Sequence, residues 1–181
     1  NQDLTWKSTL SISKNVNKVK KLLTPITASY NMIRVEEGYS LYSVFAYNEL
    51  GLDPETGNAM FEDVNKDGRI TVDDQKIVGN IWPDFEGAFR NTVSYKGFDL
   101  NLNFYYKYGN SLYDYTAYFL ETAGTRGVTR SIQKSSLDYW EKPGDVGVLP
   151  RPTNIANPDG SLNYFRTGNS RYLKDASYLR L

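Results

Sequence analysis

Phe98-Asp99-Leu100-Asn101-Leu102-Asn103-Phe104-Tyr105-Tyr106-Lys107 alternates without a break. Phe98, Leu100, Leu102, Phe104 and Tyr106 take one side of an extended chain, and Asp99, Asn101, Asn103, Tyr105 and Lys107 take the other, because successive strand side chains point to opposite faces. One face is apolar and the other is wet. Just upstream, 85–95 puts Phe89, Val93 and Tyr95 on a face shared with Asn91. The two runs meet at Tyr95-Lys96-Gly97-Phe98, and a tight turn with Gly97 at positive φ predicts a β-hairpin. Each strand has about ten residues, the length needed to cross a hydrocarbon core when tilted.

Working outward, Leu4 to Ser13 alternates as well, with Leu4, Trp6, Leu10 and Ile12 opposite Thr5, Lys7, Thr9, Ser11 and Ser13. A polar, lysine-rich stretch follows from Lys14 to Lys21, then short strands and turns over 22–35. Residues 36–84 carry turn chemistry at Gly38, Gly51, Asp53-Pro54, Gly57, Asp67-Gly68, Gly79 and Pro83. A second irregular stretch, 109–172, is rich in Gly, Pro, Asn, Ser and Tyr and is expected to hold one short helix around Ser131 to Lys142. Alternation resumes at Leu173 and runs to the end at Tyr178-Leu179-Arg180-Leu181, so both ends look cut.

The predicted fold class is all-β: antiparallel strands at approximately 4–13, 85–95, 98–108 and 173–181, with long loops at approximately 14–84 and 109–172. Short turns on one side and long loops on the other are the signature of a transmembrane β-barrel of the outer membrane, with extracellular loops and periplasmic turns. A soluble domain rarely carries two such loops around four strands, since structureless loops longer than about fifteen residues are uncommon.

Composition narrows the chemistry. The 181 residues carry 21 Lys plus Arg against 21 Asp plus Glu, with no Cys and no His. At zero formal charge there is no basic field to bind nucleic acid. Without His or Cys the chain supplies no Ser-His-Asp or Cys-His catalytic set, no Cys/His zinc site and no disulfide. The aromatics are lopsided, 15 Tyr against 8 Phe and 3 Trp, and tyrosine suits half-wet surfaces such as sugar clefts and the belts of membrane barrels.

Asp63-Val64-Asn65-Lys66-Asp67-Gly68-Arg69-Ile70-Thr71-Val72-Asp73-Asp74 matches the twelve-position EF-hand-like calcium loop. Calcium takes six to eight oxygens, and alternate acid or amide residues wrapped by a sharp glycine turn converge them on one point. In that reading Asp63, Asn65 and Asp67 give side-chain oxygens, Arg69 its carbonyl, Thr71 a hydroxyl or a water, and Asp74 the closing carboxylate. Position twelve is Asp, one methylene shorter than the usual Glu, and no long helix flanks the loop, which fits a weak extracellular site. The competing reading is a plain Asp-Gly turn without metal.

Other constellations are bland. Asp73-Asp74 and Glu36-Glu37 read as solvated charge rather than a glycosidase pair. Gly144-Asp145-Val146-Gly147 lacks phosphate-loop spacing, and Trp140 reads as an anchor of a loop to the barrel wall before a sugar platform. The cluster Tyr105, Tyr106, Tyr108, Tyr113, Tyr115 and Tyr118 reads as part girdle and part ligand-facing patch.

Taken together, Asp63 to Asp74, Ile77-Val78-Gly79-Asn80, Pro83, Gly87, Ser94 to Leu100, Gly109-Asn110-Ser111-Leu112-Tyr113, Leu137-Asp138-Tyr139-Trp140, Pro150-Arg151 and Arg171 to Leu181 follow a familiar order and spacing. Val35 to Ser40 and Gly51 to Gly57 fit upstream. The chain resembles the C-terminal barrel region of a SusC/RagA-type TonB-dependent outer-membrane transporter, over essentially its whole length. The resemblance implies import of oligosaccharides or peptides, a SusD-like surface lipoprotein as lid, and energy coupling to TonB through a plug region expected before Asn1. It implies no catalysis, and outer-membrane lipid around the apolar faces. The alternative is a secreted calcium-stabilised β-sandwich, such as a carbohydrate-binding module.

Overall fold

The computed structural model describes residues 3–28, 32–121, 132–145, 149–152 and 168–181. Its strands in chain order are β1 (Leu4–Ser13), β2 (Ile26–Ala28), β3 (Ile33–Val35), β4 (Ser43–Tyr47), β5 (Glu49–Leu52), β6 (Ala59–Phe61), β7 (Gln75–Asn80), β8 (Phe85–Tyr95), β9 (Phe98–Tyr108), β10 (Ser111–Tyr113), β11 (Leu173–Asp175) and β12 (Tyr178–Arg180). The one α-helix among the described residues is α1 (Tyr115–Leu120).

The alternating stretches build one antiparallel sheet in the order β1-β8-β9-β12. Its central hairpin turns through Lys96 at φ 47° and Gly97 at φ 87°, the two consecutive positive φ values that match the twist of the flanking strands. Register runs from Tyr95↔Phe98 at the turn to Phe85↔Tyr108 at the far end, and β1 lies on β8 from Leu4↔Tyr95 to Ser13↔Glu86. This register puts Leu4, Trp6, Leu10, Ile12, Phe89, Val93, Tyr95, Phe98, Leu100, Leu102, Phe104 and Leu179 on one face. No second sheet covers it: Trp6, Ile12, Phe98 and Leu179 are 69–81% exposed. That uncovered face is where a sandwich would have its core, so the sandwich alternative finds no support among the described residues.

The core sits beyond the far end of this wall, inside the two long loops. Residues 14–84 form a second antiparallel sheet, β2-β3-β4-β7, and the small hairpin β5-β6. Every residue of β4 is buried. Met32, Val44, Tyr113, Tyr118, Leu149 and Tyr172 form the buried cluster, with Ile33, Val78, Tyr115, Phe119, Tyr139 and Leu173 packed around it. The two loops therefore pack on each other, and their backbone hydrogen bonds are made in small sheets rather than left to water.

Two expectations need correction. The run 173–181 is not one strand: Leu173–Asp175 pairs with Ser111–Tyr113 in the loop unit, whereas Tyr178–Arg180 pairs with β9 in the wall. The break is an Asp175 carboxylate that accepts from Ser177 N–H (2.8 Å) and hydroxyl (2.5 Å), while Gly109 N–H on the adjacent segment donates to Ser177 Oγ (2.9 Å). Both segments turn the same corner, and alternation carries straight through it. The helix around 131–142 is a single 3-10 turn, Lys134–Leu137, among the described part of that range. Leu149 N–H then donates to the Asp138 carbonyl and Trp140 N–H to the Leu149 carbonyl, which draws 138–140 into a bridge. The helix that does form, α1, is capped by Asp114, whose side chain accepts from Ala117 N–H (2.9 Å).

Candidate functional site

The wet face of the wall is a ladder of polar pairs across β8 and β9. Arg90 Nε donates to Asn103 Oδ1 (2.9 Å), Thr92 Oγ1 to Asn101 Oδ1 (2.8 Å), and Lys107 Nζ lies 3.1 Å from Glu86. The structure thus brings Asn101, Asn103 and Lys107 onto one surface with Asp99, directly opposite the apolar face. This surface presents amide, hydroxyl and paired charge to its surroundings.

The 63–74 loop is built from its own side chains. Asp63 Oδ1 accepts from Lys66 N–H (2.7 Å) and Oδ2 from Gly68 N–H (2.8 Å). Asn65 Oδ1 accepts from Asp67 N–H (3.0 Å), and Asp67 Oδ1 from Arg69 N–H (2.8 Å). Lys66 at φ 60° and Gly68 at φ 80° make the sharp bend. Asn65 Nδ2 reaches Asp67 Oδ2 at 3.0 Å, so Asp63, Asn65 and Asp67 gather on one side of the loop.

Asp74 does something different. It is fully buried, and its Oδ2 accepts from Thr71 N–H (2.7 Å) while Oδ1 accepts from Val64 N–H (2.8 Å). With Thr71 as N-cap of the 3-10 turn Val72–Asp74 this is a reciprocal capping box. The backbone N–H of Thr71, with those of Val64 and Asn65, holds the Asp74 carboxyl below the usual aspartate range. Asp63, Asp67 and Asp74 do not meet as a three-acid cluster among the described residues. The donor chemistry at Asp63, Asn65, Asp67 and Thr71 fits a hard cation, and the short Asp74 side chain staples the two ends of the loop together.

Other singled-out residues fall elsewhere. Trp140 is buried and anchors a loop, yet to residues 53–57 rather than to the wall: its Nε1 donates to the Pro54 carbonyl (3.3 Å), and Gly57 lies so close to the indole that no Cβ would fit. The tyrosine cluster divides. Tyr113, Tyr118 and Tyr172 form edge-on and tilted contacts at 5.6–6.2 Å in the loop core. Tyr108 stacks on Phe85 at the loop end of the apolar face (5.2 Å), and Tyr106 bonds across it through its hydroxyl to the Ser11 carbonyl (2.9 Å).

One pair escaped sequence reasoning. Glu49 and Arg171 form a short two-pronged ion pair that ties β5 to the segment before β11. The Glu49 side chain is only 6% exposed, and burial pushes its carboxyl up despite the guanidinium beside it. The Glu49 backbone N–H also donates there, to Ser170 Oγ (2.9 Å). No local signal marks two residues so far apart in the chain.

No family model matches the chain. TonB-dependent receptor P3 of Formosa agariphila is 28% identical over 206 residues, covering 100% of this chain and 19% of its own length. TonB-dependent receptor P26 of the same organism is 29% identical over 204 residues, 99% of this chain and 19% of that protein. Among solved structures, the RagAB peptide transporter aligns with TM-score 0.78 at 22% identity, over 100% of this chain and 20% of that one. The RagAB peptide importer in its closed-closed state aligns at TM-score 0.76 and 23% identity, again over 20% of its length. The chain spans about a fifth of the length of these relatives. It is homologous to a stretch of TonB-dependent receptors, as the SusC/RagA-type resemblance implied, and its place is the bacterial outer membrane.

Proposed function

We propose that the chain is a wall-and-loop segment of a transmembrane β-barrel that imports oligosaccharides or peptides. The observation that carries this reading is the four-stranded sheet with one uncovered apolar face and one polar face, bounded by a tight turn at one end and a folded loop unit at the other. The apolar face meets lipid, and Asp99, Asn101, Asn103 and Lys107 line the lumen. The Lys96-Gly97 turn is periplasmic and the loop unit is extracellular, where it meets a SusD-like lipoprotein and the cargo. Coupling to TonB runs through a plug region elsewhere in the whole protein. The segment's own residues bind and orient; they catalyse nothing.

A test is Leu102→Arg in the full-length receptor. A cation at mid-bilayer costs about 2 to 4 kcal/mol, so the heat-modifiable folded band in the outer membrane should be lost; normal assembly would reject a lipid-facing Leu102. Uptake of peptides and of oligosaccharides by the unmutated receptor then separates the two cargo classes.

The 63–74 loop is proposed to hold calcium through Asp63, Asn65 and Asp67, with the Arg69 carbonyl and Thr71, and with Asp74 closing the loop from its buried position. Bound calcium would brace the loop by neutralising its gathered oxygens. Calcium should protect 52–80 from protease in the full-length protein, and Asp63→Ala with Asp67→Ala should abolish that protection; equal protection with and without calcium returns the loop to a metal-free turn.

A further inference from the structure

At its loop end the apolar face finishes in an aromatic margin. Phe85, Tyr106 and Tyr108 pack there, with Phe85–Tyr108 centroids at 5.2 Å and Phe85–Tyr106 at 6.2 Å, beside Ile12↔Gly87. Immediately past that margin β1 runs into Lys14-Asn15-Val16-Asn17-Lys18-Val19-Lys20-Lys21, four cations in eight residues with no acid. This segment is held extended against residues 36–41. Asn17 Oδ1 accepts from Ser40 Oγ (2.9 Å) and Leu41 N–H (2.7 Å), and Val19 N–H donates to the Tyr39 carbonyl (2.9 Å). The odd positions 17 and 19 are therefore half-buried, while the even positions 14, 16, 18 and 20 are exposed. Even positions are also the ones that carry the apolar face of β1.

None of the four lysines has an ion pair among the described residues. The nearby acids are engaged: Glu36 with Arg34 (2.9 Å) and Glu37 with Leu22 N–H (2.5 Å). Ordinary surface lysines are interspersed with acids; these are strung on exposed positions of a held strap that follows β1 directly at the aromatic margin. Long basic side chains at that level place their heads at the height of the headgroups.

We propose that Lys14, Lys18, Lys20 and Lys21 form a docking strip for the phosphates of lipid A in the outer leaflet of the outer membrane. The proposal rests on the barrel reading above. Charge complementarity and continuity with the apolar face select this occupant: a doubly phosphorylated lipid presents its acyl chains to Leu10 and Ile12 and its phosphates to the strap.

The test uses the full-length receptor in phosphatidylcholine nanodiscs containing lipid A, with lipid A retained per barrel read by native mass spectrometry. Each single Lys→Gln variant should weaken retention about fivefold, the effect of one basic residue at an anionic surface. The quadruple variant should weaken it at least about a hundredfold, and dephosphorylated lipid A should not be retained by the unmutated receptor. Equal retention by the quadruple variant, or of the dephosphorylated lipid, overturns the proposal. Heat-modifiable migration separates the two readings. A receptor that fails to assemble as a barrel when unmutated removes both, whereas a normally assembled quadruple variant that keeps its lipid A removes the docking strip alone.

Discussion

The wall and the loop unit solve opposite problems with the same residue types. In the wall, large apolar side chains stay outside: Phe98 is 81% and Leu179 70% exposed within the described residues. In the loop unit they are gathered, and Tyr172, Met32, Leu149 and Val44 are each about 1% exposed. The loop unit is therefore held by ordinary packing, whereas the wall's apolar face, on the barrel reading proposed above, is completed by neighbouring strands and lipid. Mutations should sort by region, and each of the following would blur or sharpen that division.

The largest effect is expected at Tyr172→Ala. It removes a ring packed against Tyr113 and Tyr118 and a hydroxyl that donates to the Glu121 carbonyl (2.9 Å). A loss of about 3 to 5 kcal/mol is expected for a buried aromatic truncation. Hydrogen exchange in 32–47 should speed up sharply while the folded, heat-modifiable barrel persists; loss of the barrel itself would mean that wall and loops fold as one.

Glu49→Ala comes next. It removes the carboxylate that pairs with the largely buried Arg171, and should cost about 2 to 3 kcal/mol. Protease cleavage near 168–172 should rise, and Glu49→Gln should recover part of the protection by keeping a hydrogen-bond acceptor. Equal cleavage in Glu49→Ala and the unmutated protein would make the pair a surface ornament.

Smallest is Asp74→Asn, expected to cost about 1 to 2 kcal/mol through weakened bonds to backbone N–H groups. Its pH signature is distinctive. Because the folded carboxyl is held below its ordinary value, its contribution is fully present above the usual aspartate pKa of about 4 and is lost as pH falls through the lowered value. Glu49, pushed up by burial, has the opposite sign: its titration favours the folded state below the ordinary glutamate value and stops doing so as pH rises through the raised one. Acid should thus loosen 61–80 before 49 and 171, as read by hydrogen exchange across an acid series; simultaneous loosening would contradict the assignment.

The wall was legible because period-two alternation is written locally in Leu4–Ser13 and Phe98–Tyr108, and the hairpin is named by Lys96-Gly97. What escaped was everything set by distant partners. α1 is six residues long, too short for a helical period to register. The corner at Asp175-Ala176-Ser177 keeps alternation intact while changing sheet, so 173–181 read as one strand. Glu49 and Arg171 each look like solvated charge until the fold brings them together. The 63–74 motif announced its own shape, since Asp63, Asn65 and Asp67 are satisfied by amides within the motif, but it did not announce that Asp74 would be buried as a staple.

Gly87 and Tyr106 have a consequence for how such a wall is put together. Between β8 and β9 a two-residue turn leaves no choice of alignment, but residues 14–84 separate β1 from β8, and no turn can measure that distance. Tyr106 instead leans over the bare backbone of Gly87 and bonds to Ser11 two strands away, in a space where any side chain at 87 would collide. A slip of β1 by one residue would present the wrong carbonyl, and an added Cβ at 87 would push the ring off. Ring, gap and carbonyl act together as a gauge block, checking one long-range alignment at assembly alongside the Trp6–Asn91 bond and the matched apolar face.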